Sequence, residues 1–102
     1  MKKIPKSINL LGRKWKIKTV NKGGAEFATG NAEIIIGTKY PSRIPENLVH
    51  ELLEIILAER MHRYCKGYGQ TNESYLFSFN HAEFESICLD LAGALHQVKG
   101  CM

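Results

Sequence analysis

The stretch NLVHELLEIILAERMHRY, residues 47–64, decides how this chain is read. Set on a helical wheel at about 100° per residue, Leu48, Val49, Leu52, Leu53, Ile55, Ile56, Leu57 and Met61 take up most of the circumference. A helix that is apolar nearly all round is a buried one, on which other elements pack. Pro45 suits its first turn, where a missing N–H goes unnoticed, and Gly67 and Gly69 place its end near Cys65. The polar arc left over holds His50, Glu51, Glu54 and Glu59 together with His62.

Upstream, the periodicity changes from helical to two. In KWKIK, Lys14, Lys16 and Lys18 alternate with Trp15 and Ile17, as a half-buried strand requires. Strands are expected over 8–11, 14–20, 25–29 and 32–36, with turns at Gly12, Asn21 to Gly24 and Gly30-Asn31. A loop containing Pro41 leads into the buried helix. Downstream, 73–79 (ESYLFSF) reads as a strand. Asn80 then opens a second helix ending near Lys99, and Glu83 three residues on completes a capping box. The order β-β-β-β-α-β-α predicts one α+β domain over 1–102, two packed helices lying against a small antiparallel sheet.

The totals set bounds. At 102 residues, 44% apolar and 24% charged, the chain has the make-up of one ordinary globule. No apolar run approaches the roughly 20 residues that span a bilayer, and the basic start lacks a signal-peptide core, so a cytoplasmic protein with no membrane partner is expected. Cys65, Cys88 and Cys101 form no Cys-x-x-Cys pair, which argues against a cysteine zinc knot, and Cys88 is expected in the core. Eight basic residues precede the first acid, Glu26, leaving the rest of the chain at −4 of a net +4. Such asymmetry suits nucleic acid, although a lysine-faced strand is the plainer account of it.

The polar arc carries the chemistry. His50 and Glu54, four residues apart, lie about 40° from each other on one face, with Glu51 further round the same arc. A metal held by the pair would have Glu51 beside it, placed to take a proton from bound water. This is the logic of the His-Glu-x-x-His helix, with Glu54 where the second histidine stands. The plainer alternative is a wet helix face. His62 falls about 120° round from His50 and is expected to favour the helix C-terminus electrostatically. On the second helix Phe84, Ile87, Cys88, Leu91, Leu95 and Val98 form an apolar stripe. His81 and Glu85 border it and are candidates to face the first helix, whereas Glu83 and Asp90 point away and His96 is surface.

With its IPKSINLLGRKWKI start, its AEIIIG strand, LVHELLEIIL and the closing LAGALHQV, the chain resembles the small zincin-like proteins of phages and mobile elements, relatives of zinc metallopeptidases. The resemblance implies His50 as first ligand and Glu51 as general base. A His₂Glu zinc site would arise if Glu54 and His81 exchanged the usual ligand places. Glu85 is then a fourth ligand or a support, or it is itself the third ligand, in which case harder ions such as manganese are favoured. It also implies a peptide or protein substrate laid along an edge strand, here expected at 32–37. Three functions follow: a minimal metal-dependent peptidase, an inactive zincin-like module acting through protein contact, and a nucleic-acid binder using the basic first strands.

Overall fold

A computed structural model of the chain describes residues 4–65 and 75–101. The period-two pattern makes β1 (Ser7–Leu10) and β2 (Arg13–Val20), an antiparallel pair with Ile8 opposite Trp15. Trp15 and Ile17 are buried, and Lys14, Lys16 and Lys18 face water, as alternation demands. Lys18 pairs with Glu33 at 3.0 Å and Lys22 with Glu26 at 2.5 Å, so part of the basic face is already neutralised.

β3 (Ala25–Ala28) and β4 (Glu33–Gly37) are an antiparallel hairpin, but the sheet order is β1-β2-β4-β3 and β4 runs parallel to β2. The sheet is therefore mixed, not antiparallel as the sequence led one to expect. Composition explains which strand takes the centre. Ile34 and Ile36 are fully buried towards the helices and Ile35 is half-buried on the other face, which suits a strand with neighbours on both sides. Ala25-Glu26-Phe27-Ala28 carries a charge and little bulk, which suits an edge. The link from β2 must then cross the end of β4. It does so over Gly37, whose N–H donates to the Gly24 carbonyl at 2.8 Å. A Cβ there would overlap the Lys22 carbonyl oxygen and stand 2.6 Å from that of Gly24.

After a 3-10 turn over Pro41–Arg43, α1 (Ile44–Glu59) buries Leu48, Leu52, Ile55 and Ile56 completely against the sheet's inner face. Each such side chain contributes about 1.5–3 kcal/mol. The helix stops six residues before the expected end. Met61 takes a left-handed φ of 64°, its N–H donates to the Ala58 carbonyl, and that of His62 donates to Leu57 at 2.7 Å. This is a Schellman stop built without glycine, so no local residue marks it. Gly67 and Gly69, expected to end the helix, lie outside the described residues. His62 is turned inward and buried, with Nδ1 3.4 Å from Glu83, rather than capping the helix from outside.

β5 (Arg63–Cys65) follows at once and pairs antiparallel with β6 (Tyr75–Phe77) in a separate two-stranded sheet. The strand expected over 73–79 is thus shorter, with 73 and 74 outside the described residues. α2 (His81–Val98) opens on the expected capping box: Asn80 accepts from the Glu83 N–H at 2.9 Å, and Glu83 accepts from the Asn80 N–H at 2.8 Å. Its buried face is Ile87, Ala94 and Val98, with Leu91 and Leu95 partly covered. Cys88 and Phe84 are exposed, contrary to the expected stripe. The helix is turned so that Asp90 meets Arg60, and Glu83 meets His62, at the end of α1. Polar pairing between the helices outweighs two apolar residues that the wheel had placed inward. No helix among the described residues is long and apolar enough to cross a membrane.

The left-handed Met61, 74% exposed, gives the first test. Met61→Gly relieves a backbone cost of about 1–2 kcal/mol, offset in part by the entropy glycine adds to the unfolded chain. Urea unfolding is expected to show a net gain of roughly 0.5–1 kcal/mol; a loss would contradict the stop described.

Candidate functional site

Three of the residues singled out by the wheel do meet. His50, Glu51 and Glu54 line a cleft of about 560 Å³ between α1 and the open edge of β3 from Ala25 to Gly30, with Arg63 closing one side. Glu54 Oε1 lies 3.3 Å from His50 Nε2, and Glu54 Oε2 accepts from Arg63 Nη1 at 2.9 Å. Both carboxylate oxygens are thereby engaged. The Arg63 guanidinium also lies 5.5 Å from the Phe27 ring of the edge strand. Glu54 and Arg63 side chains are each 21% exposed, whereas the His50 ring is largely in solvent.

Arg63 went unseen because it sits nine residues after Glu54, about 180° round a continuous helix. The Schellman reversal carries it back against the helix it has just left. Only the end of the helix, hidden in a non-glycine stop, would have signalled it.

Glu51 is 6% exposed, yet it lines the cleft and forms no hydrogen bond or ion pair among the described residues. Burial pushes its carboxyl pKa up. The neighbouring His50 pulls it down, while Glu54 and Glu26 push it further up.

His81 and Glu85 are elsewhere. The His81 side chain is 83% exposed, its Nδ1 3.5 Å from Glu85 and its ring beside Phe84, and neither residue lines the cleft. Among the described residues no group of three or more His, Cys, Asp or Glu stands as metal ligands would. With Glu54 bound to Arg63 and His81 turned to solvent, the described donors do not fit the expected zinc or manganese set.

The edge above the cleft is backbone waiting for a partner. Because the Gly37 N–H donates to Gly24, hydrogen-bonded pairs in the β3–β4 ladder fall at Gly24, Glu26 and Ala28. The N–H and C=O groups of Ala25 and Phe27 therefore point away from β4, along the open edge. By resemblance the substrate strand was expected at 32–37. That strand is paired on both sides, and the edge is β3. The opposite edge is closed at one residue: by the same logic Asn9 points outward from β1, and the Gln97 amide both accepts from its N–H and donates to its C=O, each at 2.7 Å.

No family model, curated protein or solved structure matches the chain. The site's chemistry therefore rests on its own residues.

Two measurements test that chemistry. A carboxyl whose pKa is higher folded than unfolded holds its proton longer in the folded state. Its folded form loses relative stability as pH rises from about 4.5 through the raised value. Glu51→Gln, permanently neutral, is expected to flatten that part of the stability–pH curve and to unfold at higher denaturant than the wild type above it. An unchanged curve would contradict the burial. For the ion pair, Arg63→Ala should cost about 1–2 kcal/mol, less than a fully buried pair because both groups keep some solvent. A double-mutant cycle with Glu54→Gln should return a coupling of about 1 kcal/mol. Additive losses would mean the pair is incidental.

Proposed function

We propose that this protein is a zincin-like interaction module that captures an extended segment of another protein along β3. The observation that carries the reading is the unequal treatment of the two sheet edges. β1 is closed at Asn9 by a side-chain amide that imitates a neighbouring strand. Among the described residues, nothing covers the outward groups of Ala25 and Phe27 on β3, above a polar cleft. An open edge is a hazard that chains ordinarily blunt, and one left beside a cleft is suited to strand addition. Main-chain bonds then supply affinity, while every second side chain of the incoming strand turns towards His50, Glu51 and Arg63. The resemblance to zincins supports the same site, because substrate there lies along an edge strand over the motif helix.

The Arg63–Glu54 pair favours binding over hydrolysis, since an arginine occupies the carboxylate that the resemblance assigns to a metal. A metal-dependent peptidase is the second reading. It is favoured by the buried Glu51 beneath the edge strand, beside His50, where the resemblance assigns the general base. Stoichiometric zinc by elemental analysis, lost in His50→Ala, together with proteolysis lost in Glu51→Gln, would establish it over the first.

Selection of random displayed heptapeptides against the full chain is expected to enrich sequences that bind in extended form. Methylating the backbone nitrogens of such a peptide one at a time should weaken binding at least ten-fold at alternate positions and little between them. Absence of enrichment, or a scan without period two, would remove the proposal.

A further inference from the structure

Among the groups lining the β3 cleft, the other carboxylates already have partners. Glu26 is paired with Lys22, and Glu54 with Arg63 and His50. Glu51 alone lies more than nine-tenths buried, reaches the cleft and makes no hydrogen bond or close ion pair among the described residues, His50 attracting it only from beside it. Its oxygens meet the open space of the cleft, and burial of the rest of the side chain favours a cation brought to the charged form. Phe27 and Ala25 stand opposite Ile34 and Ile36, whose side chains face the helices. A residue paired with Phe27 on an added strand therefore turns its side chain to that same face, over α1.

Resting on the strand-addition reading, we infer that the cleft selects extended segments carrying a lysine or arginine, whose charged end is received by Glu51. The side chain enters from the residue paired with Phe27 or from a neighbour two positions away. Its alkyl stem lies along the Phe27 ring and its head replaces the missing partner of the carboxyl. Glu54 and Glu26 stand on the same cleft and add negative charge around Glu51, which His50 partly offsets.

The test uses the same heptapeptides. Those enriched on the wild-type chain are expected to share a lysine or arginine at one fixed position, in register with the methyl-sensitive amides. Replacing that residue by norleucine, which keeps the stem and removes the charge, should weaken binding about ten-fold or more by fluorescence anisotropy. Against Glu51→Gln the lysine and norleucine peptides should bind alike. Enriched peptides with no shared cation, or a lysine preference that survives Glu51→Gln, would overturn this inference and leave strand addition standing. Failure to enrich any peptide would overturn both. If Glu51→Gln does not fold, NMR of the wild-type chain serves instead: the Glu51 carboxyl carbon signal should move on binding the lysine peptide and hold its place on binding the norleucine one. Equal movement with both peptides would overturn the inference.

Discussion

A missing side chain at Gly37 sets the order of the sheet. The link from β2 to β3 passes over the end of β4 with the Lys22 and Gly24 carbonyls pressed on that glycine, where any Cβ would collide. Because the crossing is possible, the strand rich in isoleucine lies between two neighbours and the sparse, charged strand lies at the rim. The rim strand is the one that faces the polar arc of α1. Had β3 paired with β2 as a simple meander, β4 would have been the edge, and an apolar strand would have stood open to aggregation.

The second constraint is the reversal after α1. A helix continuing to Cys65 would have sent Arg63 to the far side. Ending at Glu59, it returns an arginine to Glu54, and the cleft gains a fixed cation on one wall beside the buried Glu51 carboxyl, which makes no hydrogen bond among the described residues. Arg13 ties these parts together, with one nitrogen 2.7 Å from Glu59 and another donating to the Thr29 carbonyl at 2.7 Å. The end of α1 and the β3–β4 turn are thus held to the same residue of β2.

Much of this was legible beforehand. Alternation placed Trp15 and Ile17 inward, the wheel gathered His50, Glu51 and Glu54 on one arc, and Asn80 with Glu83 announced the start of α2. What could not be read shares one cause: it depends on contacts distant in the chain. The strand order turned on which strand could tolerate being an edge. The face of α2 turned on Asp90 and Glu83 finding Arg60 and His62. That rotation carried His81 and Glu85 out to solvent, away from the cleft to which the sequence had assigned them. Gln97 offers no local pattern at all that marks it as the closure of β1.

Everything rests on β3 being the open edge, in a register that leaves Ala25 and Phe27 unpaired. Site-resolved amide hydrogen exchange by NMR reads this directly. The account predicts slow exchange at Glu26, whose N–H faces β4, and at Asn9, held by Gln97, with fast exchange at Ala25 and Phe27. Protection of Phe27 equal to that of Glu26 in the isolated protein, or rapid exchange at Asn9, would contradict it.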